Sequence, residues 1–114
     1  MDWGKVTYIF FSLMSLTTTA GFLYEPHAVP LFIAACVNII STILKIGVRN
    51  LLSAELLASS LVADLHLIPA FMALVFLGDE RLAVALAIGA IVANLFSIAL
   101  ALIESAKSED KEEY

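Results

Sequence analysis

The side chain best placed for chemistry in this sequence is Asp64. It lies at the centre of a long apolar stretch, residues 51–77, whose only other acid is Glu55 near one end. An ionisable group at the centre of a bilayer costs at least ~2.5 kcal/mol, so such residues usually serve a function. We therefore expect Asp64 to bind a cation or a proton. The alternative is a protonated Asp64 that only hydrogen-bonds to a neighbouring helix.

Pro69 strengthens the functional interpretation of Asp64. Proline removes the helical hydrogen bond to the carbonyl oxygen four residues earlier, which here belongs to Leu65. A carboxylate beside a freed carbonyl oxygen is suited to a hard cation or to proton-bearing water. We predict that Asp64 and Leu65 line an ion pathway and that the helix is kinked or broken at Pro69. A simple kink without function is the alternative.

Three further polar residues are predicted at the depth of Asp64. Asn38 and Asn94 lie near the middle of their own apolar stretches, where they can hydrogen-bond its carboxyl group or serve only as packing contacts. His66 lies about 200° around a continuous helix from Asp64, on the face of Glu55, and is either a proton carrier or a neutral hydrogen-bonded side chain. The predicted ion pathway consists of Asp64, Leu65, Asn38, Asn94 and His66.

Acids and a histidine gather in the two links that we place on the outer side. Glu25 and His27 lie in the first link, and Asp79 and Glu80 lie in the third. We expect them to form a cation-attracting mouth, with an ordinary solvated loop as the alternative. Their spacing matches no metal-binding motif, so neither a metal site nor a cofactor is expected.

The composition requires a membrane around these residues. The chain has 114 residues, 61% hydrophobic and 15% charged, with a mean hydropathy of +0.98. A soluble domain is about 45–50% apolar and about 25% charged. We predict an all-α integral membrane protein with a four-helix domain over residues 1–104. Its spans cover residues 6–24, 28–45, 51–77 and 82–103, and a polar tail, disordered or a frayed helix end, follows at 105–114.

The basic residues predict the orientation. With four spans, five of the six lysines and arginines fall on one side, and only Arg81 falls on the other. The excess marks the cytoplasmic side, so both termini are expected in the cytoplasm. Lys45, at the end of the second span, is expected to extend its ammonium group towards water. The alternative for the first span is a cleaved signal peptide.

Two patterns indicate how the helices pair. Asn38 and Ser41 recur as Asn94 and Ser97, which suggests two tandem helical hairpins, with chance similarity as the alternative. Small residues recur every fourth position along the fourth span and favour close helix packing, either between subunits or within a hairpin. These residues are Ala85, Gly89, Ala93, Ser97 and Ala101.

Two resemblances accompany these patterns. The central stretch, residues 43–70, resembles a family of short four-span bacterial membrane proteins of unknown function, most specifically over Ser-Leu-Val-Ala-Asp-Leu at 60–65. This resemblance implies a bacterial inner membrane. Residues 76–82, Phe-Leu-Gly-Asp-Glu-Arg-Leu, and the small-residue helix after them are similar to the last hairpin of small multidrug resistance transporters. That resemblance implies a dimer that exchanges protons for substrate through a glutamate in the first helix. This chain has no acid between Lys5 and Glu25, and its membrane acid is Asp64.

Three functions fit the sequence. The leading hypothesis is a homo-oligomer that conducts or transports cations or protons, with Asp64 from each subunit near a central pathway. The second is a proton-coupled exporter of the small multidrug type, and the third is an accessory subunit of a larger membrane complex. An enzyme is not expected, because no nucleophile with a base and no phosphate-binding loop is present. Six basic residues and a net charge of −5 exclude nucleic acid as a partner.

Overall fold

The computed structural model describes residues 3–46 and 53–112, which form four helices in an antiparallel bundle. The helices are α1 (Trp3–Tyr24), α2 (Ala28–Ile46), α3 (Ser53–Phe76) and α4 (Glu80–Glu112). Each helix packs against two others, in the cyclic order α1, α2, α3, α4 and back to α1. The two short links, around residues 25–27 and 77–79, therefore lie at one end of the bundle, which we call the link end. The opposite end is the terminal end.

All four helices are long and apolar enough to cross a membrane. The candidate spans are Val6–Tyr24, Ala28–Ile46, Ala54–Phe76 and Glu80–Glu104. The four predicted spans and the all-α membrane class are thus confirmed. Residues 51 and 52 of the predicted third span, and Arg49 of the charge count, lie outside the described residues.

Local sequence explains the turn between α3 and α4. Gly78 has a φ of +63°, a left-handed conformation that glycine adopts without steric cost. Asp79 then caps α4, because its Oδ1 accepts a hydrogen bond of 3.0 Å from the backbone N–H of Leu82. Asp79 therefore has a structural role at the start of a helix.

The structure bears on two expectations about helix continuity. α3 runs through Pro69 as one continuous helix, so of the expected kink or break the break is absent and the kink stays a prediction. A proline inside a membrane helix is tolerated where neighbouring helices or small local adjustments satisfy the freed carbonyl oxygen. At the other end of the chain, α4 continues to Glu112 through most of the segment expected to be a frayed or disordered tail.

Alanines and a few larger side chains fill the half of the bundle next to the link end. Phe22 and Leu31 are fully buried there, together with alanines from the other helices. We call this cluster the apolar layer: Phe22, Leu31, Ala34, Ala35, Ala63, Leu67, Ala70, Ala83, Ala87, Ala90 and Ala93. A second, smaller apolar cluster of Tyr8, Leu56 and Ala101 lies towards the terminal end.

Candidate functional site

A continuous group of polar side chains occupies the bundle interior between these two apolar clusters. All four helices contribute to it, and every member is at least nine-tenths buried. We call this group the polar core: Ser12, Ser15, Asn38, Ser41, Thr42, Lys45, Ser60, Asp64, Asn94 and Ser97.

Asp64 is the centre of the first part of the polar core. Its side chain is 8% exposed and points from α3 towards α2. The Nδ2 of Asn38 donates a hydrogen bond of 2.5 Å to Oδ1, and the Oγ1 of Thr42 lies 2.6 Å from Oδ2. Both carboxylate oxygens therefore have a donor from the same neighbouring helix. The hydrogen bond expected between Asn38 and Asp64 is present.

Proton counting fixes the direction of the hydrogen bonds around Thr42. Its Oγ1 lies 2.6 Å from the Oγ of Ser60 as well as 2.6 Å from Asp64. A hydroxyl group carries only one proton to donate. The carbonyl oxygen of Asn38, 3.0 Å from the Thr42 hydroxyl, competes for that proton. If Asp64 is ionised it has no proton to donate, and the arrangement in which Thr42 donates to Asp64 requires Ser60 to donate to Thr42. The result is a short hydroxyl chain that ends at the carboxylate.

Asn94 connects to the same site from α4 through Ser15. Its Nδ2 donates to the Oγ of Ser15 over 3.3 Å, and Ser15 donates to the Oδ1 of Asn38 over 2.8 Å. Asn94 itself is fully buried, and among the described atoms its Oδ1 has no hydrogen-bond partner. An unpaired buried acceptor is costly, by about 1–3 kcal/mol, so this oxygen marks a place suited to a proton donor.

Lys45 is the centre of the second part of the polar core. The expectation that its ammonium group extends to water is wrong, because the side chain is only 3% exposed. Nζ donates to the Oγ of Ser12 and to the Oγ of Ser97, each over 2.9 Å. It also lies 5.9 Å from the centre of the Tyr8 ring. Asp64 contributes an opposite charge from beyond salt-bridge distance. Hydroxyl acceptors, an aromatic face and an opposite charge together replace the water that the ammonium group has lost.

The other predicted pathway residues lie outside the polar core. The side chain of Leu65 is 68% exposed on the outer surface of α3, whereas the predicted role belongs to its backbone carbonyl oxygen and stays a prediction. His66 faces a groove between α3 and α4, where its Nδ1 lies 2.7 Å from the carbonyl oxygen of Val62. His66 and Asp64 thus point in different directions, as the helical spacing predicts, and the structure gathers only Asp64, Asn38 and Asn94 in one site. Their role in ion movement stays a prediction.

The four predicted mouth residues are exposed at the link end. The Nε2 of His27 lies 3.3 Å from the Oε1 of Glu25, and both side chains are largely exposed. Among the described residues, no group of three or more His, Cys, Asp or Glu side chains comes together that could hold a metal ion. Between this end and Asp64 lies the apolar layer, so the mouth residues do not join the polar core.

The small-residue stripe of α4 is divided between three environments. Ala93, Ser97 and Ala101 are buried inside the bundle, Gly89 contacts His66, and Ala85 is exposed. Most of the stripe therefore packs within the protein's own helical bundle. Whether the protein forms an oligomer stays a prediction.

Sequence reasoning gave no role in the site to Lys45, Ser12, Thr42 or Ser60. For some of them, a pattern in the sequence could have indicated a place in the site. Asn38, Thr42 and Lys45 follow one another at intervals of four and three residues, which places them on one face of α2. Polar residues that share one face of a membrane helix are expected to face protein.

The architecture defines the class as a small four-helix membrane protein with a polar interior. The chain belongs to a family of unknown function, DUF6394, whose model matches residues 25–105. That membership agrees with the resemblance over the central segments. No curated protein and no solved structure matches the chain, so the similarity to small multidrug resistance transporters gains no support.

Proposed function

We propose that this protein moves protons across the membrane through the interior of its own bundle, with Asp64 as the acid that binds and releases the proton. The observation that carries the proposal is the enclosure of an acid and a base, Asp64 and Lys45, in one hydroxyl-lined interior. Ionisable residues inside a membrane bundle commonly mark ion or proton pathways. The proposed role is transport and involves no enzymatic reaction.

The contacts of Asp64 favour a proton over a metal cation. A sodium, potassium or calcium ion needs several oxygen atoms with free lone pairs around it. Here N–H and O–H donors from Asn38 and Thr42 already face both carboxylate oxygens. The ammonium group of Lys45 adds a positive charge that would repel a second cation. A proton needs only one lone pair of the carboxylate and removes its negative charge.

The position of the apolar layer favours a gated process over an open pore. The polar core lies between the centre of the bundle and the terminal end, whereas alanines, Phe22 and Leu31 fill the half next to the link end. Protons do not cross a packed apolar layer without water or hydroxyl groups. We infer that release towards the link end requires the helices to separate there, as in a transporter with alternating access.

The enclosed position of Asp64 also favours a pathway within each chain. The leading hypothesis from the sequence placed Asp64 near an axis shared by several subunits. Its contacts come instead from α2 of the same chain. Homo-oligomerisation is therefore compatible with the proposal but not required by it.

Proton flux into reconstituted vesicles tests the proposal. Purified protein is placed in vesicles that contain a pH-sensitive dye, and a potassium gradient with valinomycin sets the membrane potential. We expect the wild type to acidify the lumen when the inside is negative and Asp64→Asn to abolish that flux. Asp110→Asn, the same chemical change at the end of α4, serves as the matched control and should behave as the wild type.

Two results would contradict the proposal. An Asp64→Asn protein with wild-type flux would remove Asp64 from the mechanism. A folded wild type that moves no protons would favour an accessory subunit. Circular dichroism and gel filtration show whether each variant is folded, so a loss of proton flux can be distinguished from a loss of the folded structure. Sodium and potassium flux measured in the same vesicles would show whether the transported species is a metal cation.

A further inference from the structure

A second feature with ligand-binding character lies outside the polar core. A groove of about 690 Å³ runs along the outside of the bundle between α3 and α4. Its size falls in the range of small-molecule sites, about 300–1,000 Å³. The lining residues are Glu55, Ala58, Ser59, Val62, His66, Gly89, Val92, Ala93 and Phe96.

The two ends of the groove differ in chemistry. At the end nearer the centre of the membrane, the His66 ring lies against Gly89 and closes the groove. At the other end Glu55 lies in the first turn of α3, one residue from the end of the membrane span. Between them the lining is almost entirely apolar. His66 lies eleven positions after Glu55 along α3, a distance of roughly 16 Å.

We propose that this groove binds a long-chain primary amine in its ammonium form. The ammonium group lies at the Glu55 carboxylate, at the level of the membrane surface, and the hydrocarbon chain lies along Val62 and Val92 towards His66. Charge complementarity selects this ligand. Among the described residues, no lysine or arginine forms a salt bridge to Glu55, so its carboxylate is available to a cation. A phospholipid fits less well, because its phosphate group would approach the same carboxylate.

The ligand site is independent of proton movement. Most of its residues lie on the outer faces of α3 and α4, none belongs to the polar core, and the proposal requires no change at Asp64 or Lys45. It applies equally if the protein moves no protons. The two proposals can therefore fail separately.

Photolabelling in lipid nanodiscs tests the groove. The probe is dodecylamine with a photoreactive diazirine in the distal part of its chain, and mass spectrometry of peptides locates the label. We expect labelling near Val62 and Val92 that unlabelled dodecylamine displaces and dodecanol does not. Glu55→Gln should weaken the apparent affinity about fivefold, the upper range for a partly solvated ion pair. Glu109→Gln in the terminal part of α4 is the matched control and should leave the affinity unchanged.

A second pair of variants tests the position of the chain. Val92→Trp fills the groove and should abolish labelling, whereas Val75→Trp, on the exposed surface of α3 beyond the groove, should not. Equal displacement by dodecanol would show that the groove only accepts hydrocarbon and would overturn the proposal. Displacement by phosphatidylethanolamine at its ordinary membrane content would assign the groove to lipid. The proposal would also be contradicted if Glu55→Gln left the labelling unchanged. The same holds if the probe crosslinked to a second copy of the chain and not to the groove residues.

Discussion

The imidazole ring of His66 occupies the space that any side chain at position 89 would need. A Cβ atom built on Gly89 would lie 2.7 Å from the Nε2 of His66, closer than real Cβ atoms come to other groups. Gly89 therefore allows α4 to pack beside a histidine at mid-membrane depth. The Nδ1 of the same ring lies 2.7 Å from the carbonyl oxygen of Val62, which fixes the ring orientation.

Replacement of Gly89 tests this relationship. We expect Gly89→Ala to destabilise the protein, because overpacking costs about 1–3 kcal/mol, more than the gain of about 1 kcal/mol in helix propensity. In a His66→Ala background the clash is gone, and the same substitution should be neutral or stabilising. Thermal unfolding of the four proteins in detergent, followed by circular dichroism, gives the double-mutant cycle. Equal destabilisation in both backgrounds would show that the ring does not cause the effect.

The hydrogen bonds of Asp64 predict different stabilities for two substitutions. Asp64→Leu removes the closest acceptor of Asn38 and of Thr42, which keep only the more distant backbone carbonyl oxygens of Ser60 and Asn38, and should destabilise by about 1–3 kcal/mol. Asp64→Asn should lower the free energy of unfolding by less. The amide oxygen of the new side chain can accept a hydrogen bond from Asn38, and its NH2 group can donate one to Thr42. Unfolding by sodium dodecyl sulfate in mixed micelles measures both. If both variants are equally stable, the hydrogen bonds to α2 contribute little.

Lys45 and Asp64 should be energetically coupled. Lys45→Met removes the ammonium group, leaves the Asp64 carboxylate enclosed without a positive charge near it, and deprives Ser12 and Ser97 of their donor. We expect it to destabilise the protein by about 1–3 kcal/mol. The double variant Lys45→Met with Asp64→Leu removes both charges and should be more stable than the sum of the single effects predicts. Lys107→Met, in the last part of α4, controls for the loss of one lysine. Additive effects would show that the two charges do not interact.

Reporter fusions test the orientation predicted from the basic residues. Fusions at Glu25 and Asp79 should report the outer side, and a fusion after the last residue should report the cytoplasm. The four confirmed helices require the two termini to lie on one side. A cytoplasmic signal at Glu25 would therefore mean that the bundle has the opposite orientation in the membrane. The polar core would then lie towards the outer side.

The hydropathy of the sequence by itself determined the architecture of this protein. Apolar stretches long enough to span a bilayer must form helices, because the backbone has no other hydrogen-bond partners in lipid. Short links with Pro26 or Gly78 then make neighbouring helices antiparallel. For the same reason Asp64 was recognisable as exceptional, since a lone acid at that depth stands out against an apolar background.

Only the tertiary structure decided which face of each helix points inward. Lys45 lies next to the end of its helix, where sequence reasoning sends a lysine towards water, yet Ser12 and Ser97 accept hydrogen bonds from it inside the bundle. These partners come from α1 and α4, 33 and 52 residues away, and no local pattern specifies them. In a membrane, lipid and protein interior are similarly apolar, so the hydrophobic pattern of a helix does not show which side is buried. The hydrogen bonds between distant polar side chains make that distinction, and they exist only once the four helices have packed.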